Sequence, residues 1–337
     1  MRIAVLFTMR NDLAVHYHED WVGRDVNDDS ESVMKALKEL GHEIKKYPVD
    51  LDLFEKLRAD KDSIDLVFNL CDDGFFSDPK LEPHLPAMLN LLKLTYTGSH
   101  YLSLALCSNK ARAKKILYYH DIPTPRFQVF NDVNEPLKQK LKFPLIVKPV
   151  QEDASVGVKD ESVVKNEQEM RARVAECLKT YNQPALVEEF IDGREINVGI
   201  IGDKEPEVLP ISEIKFTGLP DHKPKIINYS AKWVKDSVDY TCTNRHCPAE
   251  VTPELKKKLI SLALRAGKRL LCRDYYRVDF RLDKDDNPYV LEVNPNPDIS
   301  EDAGLAAMAN VHGYSYKDLI EKIINSAAER KFETDIL

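Results

Sequence analysis

A chain of 337 residues, 43% hydrophobic and 31% charged, is too long for one small core and is expected to fold as two or three units of about 150 residues each. Its formal net charge of -8 leaves no basic surplus for neutralising phosphates, which argues against nucleic acid as the main partner. No run reaches the roughly 18 apolar residues of a membrane span, and MRIAVLF at the start lacks a small-residue cleavage site, so a soluble, cytoplasmic protein with no membrane partner is expected.

Residues 2 to 7 read as a buried strand and Ser30 to Leu40 as a helix closed by Gly41; HEIKKYPVD and IDLVFNL supply further strands. This alternation with short connections predicts a doubly wound parallel sheet. The polar segment from Thr8 to Asp29 holds no glycine-rich phosphate fingerprint, so the nucleotide is not expected on this sheet. Within that segment His16, His18, Glu19 and Asp20 read as a solvated loop rather than a ligand cluster, and the acidic stretch Asp25 to Glu31 by default lies in solvent, the alternative being a contribution to a pocket. An irregular segment with Asp72, Asp73 and Gly74, a helix at Pro83 to Leu92 and the turn TYTGS end the first unit.

Asn109 to His120 is a basic helix, and the two prolines of DIPTPRF force an extended exit from it. The strand FPLIVKPV carries Lys148, either a ligand for ATP phosphates or a surface lysine, into QEDASVGV, where Ser155 and Gly157 can offer backbone donors to phosphate oxygens. After a helix at Asn166 to Tyr181, PALVEEFIDGREINVGIIGD reads as two strands joined by a turn at Asp192 and Gly193. That junction, with the second strand starting near Glu195, could place adenine against strand backbone and a carboxylate on the ribose hydroxyls. EVLPISEIKF adds strands, Thr217 to Pro248 reads as an irregular loop, and helices at Pro253 to Leu271 and Tyr316 to Ala327 follow. Six scattered cysteines read as reduced thiols, and Cys242, His246 and Cys247 have no second pair at zinc-finger spacing.

Tyr276 to Asp298 reads as a β-hairpin for divalent cations. In YRVDFRLD, period-2 alternation buries Val278, Phe280 and Leu282 and sets Arg277, Asp279 and Arg281 on a polar face. In PYVLEVN, Tyr289, Leu291 and Val293 take one side and Glu292 and Asn294 the other. Pairing brings Asp279, Glu292 and Asn294 together as an oxygen set suited to Mg²⁺, with Arg277 beside it; the alternative is a surface hairpin with solvated charges.

Taken in order, TYTGS, NKARAKKILYYHDIPTPRF, PLIVKPVQEDASVGV, LVEEFIDGREINVGI, YSAKW, CPAEVTPEL, YRVDFRLD and YVLEVNPNPD resemble the ATP-grasp superfamily and, within it, the D-alanine:D-alanine ligase group. The resemblance spans roughly residues 90 to 325. It implies an α/β and α+β architecture: an N-terminal doubly wound parallel-sheet domain (1–100), a central lid subdomain (101–187) and a C-terminal antiparallel-sheet subdomain (188–337). It also implies ATP-dependent joining of a small-molecule carboxylate to an amine through an acyl phosphate. Lys110 and Lys148, with Ser155 in the closing loop, would bind ATP phosphates; Glu188, Phe190 and Ile191 would border adenine, and Glu195 would hold the ribose. Lys232 and Arg277 would neutralise the transferring phosphate, and Asp279, Glu292 and Asn294 would hold two Mg²⁺ ions, with Mn²⁺ an alternative metal. The group is also commonly homodimeric through its N-terminal regions.

The resemblance is incomplete where an amino acid would sit. Ala154 stands at the loop serine, Trp233 at the tyrosine, Asp298 at a glycine, and the serine for a second carboxylate falls near Ala303 or Gly304. Trp233, Phe75 and Phe76 would line a bulkier pocket, or Trp233 fills core volume. The expectation is a ligase for another amino acid, peptide or metabolite. The alternatives are a divergent D-alanine:D-alanine ligase, with His16, Glu19 or Asp73 supplying contacts, and a non-catalytic nucleotide-binding regulator.

Overall fold

The computed structural model describes residues 1–8, 27–72 and 74–330. The expected roles of His16, His18, Glu19, Asp20 and Asp73 lie outside them, as does the start of the acidic stretch, whose residues from Asn27 on open a helix.

Three sheets organise the described residues. The first is parallel, in the order β2-β1-β3, with β1 Arg2–Phe7, α1 Asn27–Glu39, β2 Glu43–Pro48, α2 Leu53–Asp60, β3 Leu66–Asn69 and α3 His84–Leu92. β1 and β3 are buried on both faces because both are covered, whereas the edge strand β2, EIKKYP, leaves most of its side chains exposed or half-buried. Leu53, Leu57, Leu85 and Leu89 from α2 and α3 pack one side. The other side is closed by α1 and by the last helix of the chain.

The second sheet is antiparallel, in the order β4-β7-β5-β6. It follows α4 Tyr101–Cys107 and α5 Lys110–Tyr119 and comprises β4 Phe127–Phe130, β5 Leu145–Pro149, β6 Val163–Val164, α6 Glu167–Tyr181 and β7 Ala185–Glu189. A division at 187–188 would cut β7, so we place it after Glu189. Asn166 caps α6 by accepting from the Glu169 amide, and Met170, Val174 and Cys177 face the sheet core.

The third sheet runs β11-β10-β8-β12-β13, with β9 on the far end of β8. Its elements are β8 Glu195–Ile201, β9 Glu207–Val208, β10 Ser212–Phe216, α7 Tyr229–Trp233, α8 Val238–Cys242, β11 Thr243–His246, α9 Pro253–Arg269, β12 Tyr275–Leu282 and β13 Pro288–Asn294. The stretch 217–248 is therefore not one irregular loop: Asn228 and Ser237 each accept a backbone N–H and start a short helix, and β11 extends the sheet. α9 carries Leu255, Leu259, Leu262 and Ala266 onto one face of this sheet; on the other face Gly199 and Ile201 pack against Leu305 and Met308, and the rest fronts the second sheet.

The described residues finish with α10 Gly304–His312 and α11 Tyr316–Glu329. Leu319, Ile320, Ile323 and Ile324 of α11 are buried against the first sheet, each side chain worth about 1.5–3 kcal/mol of transfer free energy. A buried carboxylate ties this return together. Asp274 accepts from the Gly98 amide at 2.7 Å, from the Ser326 hydroxyl at 2.8 Å and from the Arg330 guanidinium, which also donates to the Tyr96 carbonyl. Gly98 before α4, and Ser326 and Arg330 in or just after α11, thus meet at that one side chain, which itself precedes β12.

The hairpin pairs Arg277 with Asn294, Val278 with Val293 and Asp279 with Glu292, then steps to Phe280 with Val290. Leu291 is thus the extra residue of a β-bulge. Val290 and Val293 lie in the core, while Tyr289 and Leu291 do not share their side as strict alternation predicts.

Candidate active site

Between the second and third sheets lies a cleft of about 820 Å³. Strand register explains why its floor is polar. Across the third sheet one row places Ser212, Asn197, Asp279 and Glu292 side by side, and the next row places Arg245, Ile214, Glu195, Arg281 and Tyr289. Side chains two apart on a strand share a face, so both rows look the same way.

Arg277 and Asp279 form a fork on this floor, Nε to Oδ1 at 2.7 Å and Nη2 to Oδ2 at 2.8 Å. Asn197 donates to the same carboxylate at 2.7 Å. Burial works against the Arg277 charge, but Asp279 and then Glu292 outweigh it and raise its pKa further. Glu195 contacts Arg281 at 3.2 Å; burial nonetheless lifts its pKa. Arg281 also donates to the Ile191 and Lys225 carbonyls and lies over the Phe190 ring. A small residue is required where this floor meets the turn before β8, because a Cβ on Gly193 would stand 1.9 Å from the Leu282 carbonyl oxygen.

The roof comes from the second sheet. Glu188 is clamped between two lysines, Lys148 at 2.6 Å on one oxygen and Lys114 at 2.9 Å on the other. Lys148 is buried, so the surface-lysine alternative is overturned. Burial disfavours the Lys148 charge, but Glu188, with Glu292 and Glu195, reverses the balance and raises its pKa. For Lys114 burial prevails and lowers the pKa to about 8. Lys114 also donates to Thr124 at 2.8 Å, whose hydroxyl reaches the Val290 carbonyl and links roof to hairpin. Nothing in NKARAKK separates Lys114 from its neighbours except helical spacing: it lies one turn from Lys110 on the inner face.

Residues 151–158 form a loop across the cleft mouth. Ala154 and Ser155 both take positive φ, 52° and 65°. A Cβ on Gly157 would stand 2.6 Å from the Pro149 ring, so the loop returns closely over β5. Lys110 donates to the Glu152 carbonyl and fixes the near end. Ser155 spends its hydroxyl on the Ile227 carbonyl at 2.8 Å, and the Trp233 indole donates to the Ala154 carbonyl at 3.0 Å. Trp233 and Ala154, expected to be unable to hydrogen-bond a substrate through side chains, are instead bonded to each other. Trp233 therefore lines the cleft rather than only filling core. Phe75 and Phe76 do not: Phe75 packs beside the α2 and α3 core, and Phe76 is exposed.

All twelve expected site residues line this one cleft: Lys110, Lys148, Ser155, Glu188, Phe190, Ile191, Glu195, Lys232, Arg277, Asp279, Glu292 and Asn294. Arg245, absent from the sequence-based set, lines it too. Among the described residues no group of three or more His, Cys, Asp or Glu side chains forms a ready metal cage. The donors nevertheless suit a hard cation: Asp279 and Glu292 face each other in register and Asn294 adds a carbonyl oxygen, while Mg²⁺ ordinarily takes one or two carboxylates and completes its shell from substrate phosphates.

Comparison with known proteins gives a consistent picture. The family described as "D-ala D-ala ligase C-terminus" matches residues 117–325. The uncharacterized protein y4sG of Sinorhizobium fredii is 34% identical over 314 residues, covering 91% of this chain and 90% of that protein. The D-alanine–D-alanine ligase of Pelotomaculum thermopropionicum is 33% identical, covering 89% and 91%. Among solved structures, the D-alanine–D-alanine ligase of Bacillus anthracis complexed with ATP superposes with a TM-score of 0.71 at 25% identity, over 98% of both chains.

Proposed function

The chain belongs to the ATP-grasp family defined by the D-Ala–D-Ala ligase C-terminus, and from that premise we propose that it is an ADP-forming ligase joining a carboxylate to an amine other than two D-alanines. The observation that carries this reading is the cleft itself, where Lys148, Lys232, Arg277, Asp279 and Glu292 line the same space as a loop whose Ala154 carbonyl takes the Trp233 indole N–H.

In this reading Lys148 and Lys110 hold the nucleotide phosphates, and Glu188, Phe190 and Ile191 border the base. Glu195 takes the ribose. Arg277 and Lys232 neutralise the oxygens of the phosphoryl group as it passes from ATP to the carboxylate with release of ADP, and then of the tetrahedral centre formed by the amine, which loses a proton and expels inorganic phosphate as the C–O bond breaks. Asp279, Glu292 and Asn294 would hold two Mg²⁺ ions, which supply charge neutralisation on the phosphates. Lysines, arginine and metal suffice because phosphoryl transfer requires positioning and charge compensation rather than a protein nucleophile. The 151–158 loop keeps water from the acyl phosphate. A cytoplasmic homodimer is part of the same reading.

The substrate claim rests on Ala154 and Trp233. Neither Ala154 nor Trp233 offers a hydroxyl oxygen, and the indole N–H can only donate, as it does to a backbone carbonyl, so an amino group at that end loses the two acceptors of the family pattern, and buried polar groups left unpaired discriminate strongly. The test is ATP turnover with product detection by mass, offering Mg²⁺ and ATP with mixed amino acids, short peptides and small acids, and D-alanine alone in a separate arm. A product equal to two pool members minus water, formed with ADP, is expected in the mixed arm. Product from the D-alanine arm alone would make the chain a divergent D-alanine–D-alanine ligase and overturn the substrate claim.

A further inference from the structure

The 151–158 loop holds its backbone in a costly shape. Ala154 and Ser155 both take left-handed φ, which residues with a Cβ adopt only at a conformational cost, and Gly157 follows at 73°. Inside the loop the Val156 amide donates to the Asp153 carbonyl at 2.9 Å and the Val158 amide to the Ser155 carbonyl at 3.0 Å. The second bond closes a four-residue turn from Ser155 to Val158, with glycine at the third position where φ is positive. The Ser155 amide takes no partner among the described residues, and Ser155 lines the cleft.

That turn is clamped from behind by a buried arginine. Arg173 lies on α6 beside Met170, Val174 and Cys177, which form the core of the second sheet, and it is 3% exposed. Its Nη2 donates to the Gly157 carbonyl at 2.6 Å, and its Nη1 stands 2.5 Å from a carboxylate oxygen of the half-exposed Glu176. Its Nε is buried without a partner among the described residues. Burying a guanidinium there costs desolvation, and an apolar side chain would serve the packing of α6 at least as well. What the arginine adds is its grip on Gly157. The grip is tight because Gly157 has no room to shift: a Cβ on it would stand 2.6 Å from the Pro149 ring and 3.0 Å from the Tyr181 ring.

Resting on the ligase reading, we propose that Arg173 is a positioning residue for nucleotide phosphates: by fixing the Gly157 carbonyl it locks the turn from Ser155 to Val158 and keeps the Ser155 amide directed at the cleft. Arg173 itself touches neither nucleotide nor substrate. Glu176 answers its charge and that of Lys159, which lies just past the loop.

Three variants test this. Native protein, R173M, R173K and E176Q are titrated calorimetrically with a non-hydrolysable ATP analogue and Mg²⁺, and hydrogen exchange of 151–158 is followed with and without the analogue. The native loop should gain protection when the analogue binds. R173M should bind it about tenfold more weakly, the worth of one well-placed hydrogen bond, and leave the loop unprotected. R173K, which keeps a donor, should recover part of both, and E176Q, which removes only the ion pair on the helix, should match the native protein. In turnover the KM for ATP should rise in R173M by the same factor while kcat stays within about twofold. Unchanged affinity and protection in R173M would overturn the proposal, and so would an equal loss in E176Q, which would reduce Arg173 to a helix-packing residue. Absence of protection in the native protein would overturn it as well. Should R173M fail to fold, the comparison of R173K with E176Q decides. Titration and exchange require no carboxylate or amine substrate, so failure here is distinct from failure of the ligase reading, which product detection alone decides.

Discussion

Arg277 and Asp279, two residues apart on β12, grip each other through both nitrogens and both oxygens at 2.7 and 2.8 Å. An Asp279 carboxylate that is to hold a cation beside nucleotide phosphates therefore also aims the arginine, and the two tasks are coupled. D279N retains the shape but gives up the negative charge and half of the fork. We expect ADP formation to fall by roughly 100-fold or more, comparable with the loss of a transition-state donor, with melting behaviour near that of the native protein. A coupled ADP assay checks this, and turnover within a few-fold of native would remove Asp279 from the site.

Lys114 gives a pH signature. Its folded pKa, lowered by burial to about 8, lies below the unfolded value near 10.5. Between those values the unfolded chain holds a proton that the folded chain has shed, so the contribution of this group to stability rises with pH across the window. Other lysines titrate there as well, and K114M isolates the effect. The native urea midpoint should gain on that of K114M from pH 8 to pH 10, and parallel profiles would contradict the assignment.

Removing the indole donor in W233F should loosen the 151–158 loop without emptying the cleft. Water then reaches the activated carboxylate, and the fraction of ATP consumed without ligated product should rise several-fold. Comparison of ADP with product yield measures it; unchanged coupling would mean that the Trp233 to Ala154 contact does not hold the loop during turnover.

D274N tests the join between the first sheet and the chain end. It leaves the buried Arg330 without its carboxylate, a loss expected to cost about 3–5 kcal/mol in urea unfolding. A change below about 1 kcal/mol would show that Asp203, 3.6 Å from Arg330, is compensation enough.

Much of this was legible in the sequence, because strand alternation and block order report on local register. Asp279, Glu292 and Asn294 follow from period-2 patterning, and Lys148 from its place at a strand end. What was not legible depends on distant packing. Lys114 sits among other lysines, and only the 2.9 Å approach of Glu188, 74 positions away in the chain, distinguishes it. Arg245 lay within a stretch read as loop, since TNRH has too little apolar content to announce an edge strand. The tie between Trp233 and Ala154 uses a backbone carbonyl, which no side-chain pattern encodes.

Leu291 adds one further consequence. The pairs on either side of it, Asp279 with Glu292 and Phe280 with Val290, are already consecutive along β12. Deleting Leu291 would therefore join two correctly facing half-strands into a straight one, exchanging no residue between core and cleft. What would vanish is the local bend and one apolar wall of the cleft. The hairpin can thus gain or lose curvature by a single-codon change while its acidic row stays in phase, a route by which the cleft could be reshaped without first passing through a misfolded chain.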